Sequence, residues 1–585
     1  MTNPIAPVDA AIVRVAPVRQ GVTATTDEHA GHEPAAVDRM DPGTPHRAVR
    51  PPIPTPVQLP PAGPHGVGHG HHAHGPHHGE PPTGPVAEGP VPEVEPMRAI
   101  DLANGGSLTL DMHRVRRQVA GQEISGISYG GSIPGPVLRV PQGSSVDILL
   151  RNRTDAETTL HPHGLRLDWR FDGVPGLGQD PVPPGGDFNY RLTFPDAGVY
   201  WYHPHIRDWA VRDQGAYGVF VVQPTDPNYY NPANREEVLA LDDIAVRDPS
   251  ARDGGRSPAT HVWGGMHGDT MLVNGRTDYA LNVRRGEVVR FHVLNAADTR
   301  VFNLSIPGAR IKVVGSDIGR NEREEFSDSV MIAPAERYTI EALFDTPGEH
   351  QIVSRTPAGA TNVLGRVNVA AEPVEQSHRE AFERLRENAE VRADIDQFRR
   401  HFDRPADLRL GVELEMNGRR QGPREPAPRD PNTPMPTGRP LWQRTDGIMW
   451  EELAPPMNQR SNVDNTIWRL VDLDTGRANE DIRWQFNQGD VSRIQLRGGP
   501  MQHPIHFHGQ RFLVLSVNGE RNPNLQWKDT TMVAPGQTVE ILVDHSNPGR
   551  WMFHCHIGRH STDHPNHRMT GYFDVRARDE ATPAR

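Results

Sequence analysis

The chain reads as an all-β protein built from three related domains, and three observations predict this. From about residue 97 onward, short runs alternate apolar and polar residues and are cut by glycine and proline, the pattern of half-buried strands joined by turns. A long segment then recurs: PVPPGGDFNYRLTFPDAGVYWYHPHI, residues 181–206, aligns without a gap on MVAPGQTVEILVDHSNPGRWMFHCHI, residues 532–557. A looser third copy, MIAPAERYTIEALFDTPGEHQIVSRTP, fills residues 331–357. Ahead of each copy a strand begins after a glycine: GSSVDILLRN from Gly143, GEVVRFHVLN from Gly286 and GDVSRIQLRG from Gly489.

In chain order, residues 1–95 form a tail rich in Pro, Gly, Ala and His with no sustained periodicity, expected to be disordered. The first domain is expected over 96–226 and the second over 227–372. A helical linker follows over 373–405, because Phe382, Leu385, Ala389, Ile395, Phe398 and Phe402 recur near helical spacing among charges. The third domain spans 406–579, and 580–585 is a short tail.

Composition narrows the function before any motif is read. A net charge of −12 and a pI near 6.2 leave no basic footprint for nucleic acid. No run approaches the roughly 20 apolar residues that a membrane helix needs. The N-terminus, MTNPIAPVDAAIVRVAPVRQ, has no basic stretch followed by an apolar core and no twin arginine. That favours a cytoplasmic or coat-associated protein over a secreted one. The single cysteine, Cys555, leaves no partner for an internal disulfide.

That cysteine stands between two histidines, in WMFHCHI, so on a strand Cys555 faces one way and His554 and His556 the other. Three further clusters are His161-Pro-His163, His203-Pro-His205 and His503-Pro-Ile-His506-Phe-His508. Each holds an HxH pair whose period-two spacing sends both imidazoles from one face of a strand. Imidazoles with one thiolate suit copper, whereas a structural zinc site would want four ligands and usually more cysteines. The tract HGVGHGHHAHGPHHG adds seven histidines between His65 and His78, either to capture or deliver copper or as a merely solvated stretch.

These four motifs, in this order, resemble the multicopper oxidases, the family of laccases, bilirubin oxidases and bacterial metallo-oxidases. The resemblance covers roughly residues 97–577 and implies three consecutive cupredoxin-like Greek-key β-sandwiches, four copper ions and a monomer. By motif position it implies His503 and Cys555 at a type 1 copper, with Met569 axial. The second type 1 histidine is either His560, from its spacing to the cysteine, or His564, from its spacing to Met569. His560 is preferred because the short turn after His556 restrains it. The type 2 copper takes His161 and His506, and the type 3 pair takes His163, His203, His205, His508, His554 and His556. Electrons are expected to arrive at an exposed edge of His503 and to cross Cys555.

Asp172 lies eleven residues past His161, where related bacterial enzymes carry a proton-relaying acid, although Asp172-Gly173 is also a turn dipeptide. Asp529 in QWKDTTMV is a polar group expected near the type 1 site, where it would orient a ligand histidine. The implied reaction reduces O₂ to water with electrons from a small organic reductant or a metal ion. Methionine is scattered, 15 in all with Met266 and Met271 a sparse pair, which tilts the donor toward phenols and aromatic amines rather than Cu(I) or Mn(II). A copper nitrite reductase and a non-catalytic copper-binding protein are the competing readings. Four clusters argue against the first and eight intact ligand positions against the second.

Overall fold

The structure is a computed structural model and describes residues 13–14, 90–246, 261–265, 267–423, 425, 435–450, 458, 460–561 and 568–578. The His65–His78 tract, Met266, His564 and the 580–585 tail lie outside these residues. Strands dominate, arranged in paired sheets.

In the first domain the strand Ser144–Asn152 alternates buried and half-buried residues along its whole length. Such alternation keeps one sheet face in the core and the other toward solvent. Its sheet runs Gln122–Tyr129, Ser107–Val119, Ser144–Asn152, Asp187–Phe194. The other runs Ala99–Asp101, Val137–Pro141, Gly218–Gln223, Gly198–His203, His161–His163. Val146, Ile148, Leu150, Leu192, Leu138 and Phe220 fill the space between them.

The middle domain differs in kind. Its neighbouring strands Glu287–Asn295 and Arg337–Phe344 are buried at every position. One face packs on the domain's own core through Val289, Phe291, Val293 and Ile340. Around the other edge Leu294, Ala296 and Ala335 meet Val199, Trp201 and Val219 of the first domain. Both faces of these strands are covered, so burial no longer alternates, and the second face carries buried polar and charged side chains such as Arg290, His292, Thr339 and Glu341.

The internal repeat is a structural repeat. His161–His163 pairs antiparallel with Gly198–His203, setting His161 opposite His203. His503–Phe507 pairs with Gly549–Cys555, setting His506 opposite His554. In the middle domain Phe302–Ser305 pairs with Gly348–Arg355, and Ser305 and Val353 face each other at the equivalent place. The geometry persists there while its histidines are gone.

The linker is not one helix but two, Arg379–Glu383 and Ala389–Asp396, followed by a 3₁₀ turn at Arg399–His401. Between the helices the backbone is captured by the edge of the middle domain. Glu324 N–H donates to the Arg386 carbonyl at 2.9 Å, and Asn388 N–H donates to the Glu322 carbonyl at 2.8 Å. A free sheet edge thus outbids local helix propensity, which is a weak preference. Leu385, expected on the apolar stripe, falls in this break and is 49% exposed, while Phe382 and Ile395 are buried as their spacing implies.

Candidate metal centre

The paired strands of the two outer domains bring their histidines to one place. Three trios have ligand atoms all within 4.8 Å of one another: His161, His163 and His506; His163, His203 and His556; His205, His508 and His554. The two domains interleave there, since the rings of His163 and His506 stack at 3.7 Å and those of His161 and His508 lie 4.3 Å apart. All eight histidines assigned from the sequence to the trinuclear site therefore stand in one cluster.

Their hydrogen bonds leave room for a metal. His161 Nδ1 donates to the Asp172 carbonyl at 2.6 Å, and His508 Nδ1 donates to Asp172 Oδ2 at 2.8 Å. His506 Nδ1 donates to the Asp529 carbonyl, His554 Nδ1 to the Cys555 carbonyl and His203 Nδ1 to Asp208 Oδ1, each at 2.9 Å. His163 is held the other way round, by Nε2 on Asp529 Oδ1 at 3.1 Å. An acceptor-only partner fixes the proton on the bonded nitrogen, so the lone pair sits on the other. Those other nitrogens, Nε2 of His161, His203 and His506 and Nδ1 of His163, are buried and make no hydrogen bond. Buried lone pairs without partners cost free energy unless something fills the gap, and convergent neutral imidazoles suit copper.

His556 is the exception. Arg212 Nη1 lies 2.8 Å from its Nδ1, and a guanidinium can only donate. The neutral ring therefore carries its proton on Nε2, which must leave when a metal binds there.

A fourth group lies on the far side of the same strand: Cys555 Sγ is 3.4 Å from His503 Nδ1 and 3.5 Å from His560 Nδ1. His560 closes the 3₁₀ turn Gly558–His560, three residues that fix it against the cysteine. Met569 is fully buried in the same apolar cluster, and its carbonyl accepts from the Cys555 N–H at 3.1 Å. Burial pushes the free thiol well above its ordinary range, so a metal is what would make it a thiolate.

Comparison with known proteins adds the family. Three multicopper oxidase domain models match the chain in succession, over residues 111–227, 245–371 and 454–578. The chain belongs to the multicopper oxidase family. Its cofactors are four copper ions, one type 1, one type 2 and two type 3. The multicopper oxidase MmcO of Mycobacterium tuberculosis is 26% identical over 77% of this chain and 84% of its own length. A copper resistance protein A homolog of Pseudomonas syringae is 24% identical over 79% of this chain and 91% of its own. Among solved structures, a multicopper oxidase of Pseudomonas thermotolerans superposes with a TM-score of 0.58 at 22% identity, covering 82% of this chain and all of that one. A Campylobacter jejuni metallo-oxidase gives 0.58 at 21% identity, over 83% and 96%.

In this multicopper oxidase two expectations need correcting. His503 has no exposed edge, because the fully buried Trp468 packs 4.7 Å from its ring and 5.0 Å from that of His560. Trp468 is pinned by its Nε1, which donates to the Val262 carbonyl at 2.8 Å. Spacing showed which way His503 points but not that Trp468, tied to the distant Val262, packs against its ring. Asp529 stands not at the type 1 group but between His163 and His506. Asp172 is at once a turn residue and a site residue: Gly173 has φ +77°, and a Cβ there would meet the Leu160 carbonyl at 2.2 Å. That close approach seats Asp172 against His161. Sequence reading missed Asp208, Arg212 and Arg337, lone charges outside any motif.

Burial lowers His203 to about 4 and His554 to about 3, so both of these imidazoles stay neutral in the folded chain. An unfolded histidine titrates near 6.5, so below that the unfolded chain takes up protons that the folded one refuses. The metal-free protein should therefore lose stability as pH falls from about 6.5 toward 4, by about 1.4 kcal/mol per pH unit for each such histidine. Melting temperatures of the apoprotein across that range check this, and a flat profile would contradict the neutral assignment.

Proposed function

We propose that this multicopper oxidase is of the laccase type, taking single electrons from phenolic or aromatic amine donors at a type 1 copper held by His503, Cys555 and His560, with Met569 axial. His161 and His506 would hold the type 2 copper, and His163, His203, His205, His508, His554 and His556 the type 3 pair. The observation that supports this reading is the strand Gly549–Cys555, which sets Cys555 beside His503 and His560 while its bonded neighbours His554 and His556 stand among the clustered histidines. When bound, copper supplies one-electron acceptance at the first group and four-electron reduction of O₂ to water at the second.

The chain's own residues do the rest. Cys555 joins the two groups through a few covalent bonds, so an electron need not cross solvent. Asp172 touches His508 through Oδ2 and His161 through Oδ1 at 3.3 Å, which lets its carboxyl hand protons toward the cluster. Asp172→Asn should then cut O₂ turnover about 10²-fold, within the usual range for losing a proton-transfer group, while type 1 reduction under anaerobic conditions stays fast.

A second reading, oxidation of Cu(I), is favoured by the covered type 1 face, which suits a small donor better than a bulky ring. Oxygen uptake by the copper-loaded protein, measured on a phenol series and on Cu(I), separates them. Uptake with Cu(I) alone would reject the phenol reading.

A further inference from the structure

Among the described residues the middle domain contributes no side chain to the histidine groups, yet one of its arginines reaches the trinuclear cluster. Arg337 is fully buried and grips Asp529 at both oxygens, Nη1 to Oδ1 at 2.8 Å and Nη2 to Oδ2 at 2.5 Å. Two further donors, Nε and Nη1, go to the Val199 and Ala335 carbonyls at 2.9 and 3.0 Å, which hold the fork in place. Asp529 in turn holds one histidine from each outer domain: His163 through Oδ1 and His506 through its carbonyl. Thr530 Oγ1 donates to the same Oδ1 at 2.8 Å. Behind the pair, Asp317 Oδ1 accepts from the Arg337 N–H at 2.8 Å, and Lys528 Nζ lies 3.2 Å from Asp317 and 3.3 Å from Glu336.

Two further observations show that space and sequence accommodate this grip. Gly164, which follows the His161-Pro-His163 motif, has no room for a side chain: a Cβ would lie 2.4 Å from Asp529 Oδ2 and 2.8 Å from Arg337 Nη2. In the internal repeat Arg337 occupies the place of Asp187 and Thr538, and Glu336 that of Gly186 and Gln537. All three copies turn through the same left-handed residue, Gly185, Ala335 and Gly536, at φ +77°, +68° and +66°. The middle copy lacks the histidines and carries Glu336 and Arg337 in its turn.

We infer that Arg337 is a positioning residue for the trinuclear centre: by clamping Asp529 it orients His163 and His506, so that the middle domain governs occupancy of the type 2 site. This rests on the ligand reading given above. On copper-loaded full-length protein, Arg337→Met should keep the visible type 1 band, lose the type 2 paramagnetic resonance signal and release copper to a chelator about 10-fold faster, a usual cost of removing a ligand's outer partner. Lys312→Met breaks an equally buried ion pair of the middle domain, whose partners are Glu324 and Glu341 at 3.1 Å rather than Asp529. It should lower the melting temperature without altering the type 2 spectrum. An unchanged type 2 signal in Arg337→Met, or equal loss in both variants, overturns the inference. Should Arg337→Met not fold, Arg337→Lys decides. A point charge cannot reproduce the two-point grip, so an altered type 2 spectrum supports the inference and an unaltered one rejects it. A wild-type protein that shows no type 2 signal would instead reject the ligand reading.

Discussion

Cys555→Ser leaves a protein that holds copper at the trinuclear cluster but neither absorbs in the visible nor consumes O₂. The thiol is the one ligand of its group that can become a thiolate, and a hydroxyl is a poor copper ligand that gives no low-energy sulfur-to-metal charge transfer. The same change removes the sulfur end of the covalent path to His554 and His556. Neither effect requires the fold to fail. Serine is slightly smaller, the position is fully buried, and an unpaired hydroxyl there costs about 1–3 kcal/mol, which a domain can bear. Metal content should fall by one copper while the near-ultraviolet shoulder of a coupled pair survives. A variant that still turned over O₂ from a phenol would mean that electrons bypass the type 1 group. Loss of all copper together would mean that the two groups are not separable.

The site was legible where chemistry repeats along a strand. Period-two spacing put His161 with His163 and His506 with His508, and the ungapped repeat made His203 and His554 equivalent, positions that the structure sets opposite His161 and His506. It was illegible where one side chain arrives from elsewhere. Arg337 is 192 residues from Asp529, and Asp529 is 366 from His163. A single ion pair has no period, and nothing near Arg337 marks it as more than a turn residue. The linker failed for a related reason: its helical spacing is genuine, but the competing partner is the open edge of Arg320–Ser327, invisible from residues 373–405 alone. Arg212 belongs to this class too, since only the folded chain sets it against His556 and Asp298.

Replacing Trp468 by alanine is expected to change which donors this oxidase accepts. The indole is wholly buried and lies against both type 1 imidazoles, so its removal opens a path to His503 and leaves a void in the third-domain core. The void costs about 3–5 kcal/mol of stability, as for other buried aromatic truncations. Electron transfer weakens steeply with separation, and a bulky phenol held off by the indole gains more from its removal than a small donor that already approaches closely. We expect kcat/KM for a bulky phenol to rise about tenfold, equal to about 1.4 kcal/mol of barrier, with little change for Cu(I). Trp468→Phe separates shielding from anchoring: it keeps a ring but loses the bond to the Val262 carbonyl, worth about 1 kcal/mol, and should loosen the cover without removing it. A fall in rate for every donor in Trp468→Ala, with the type 1 spectrum unchanged, would make the indole part of the electron path rather than a shield over it.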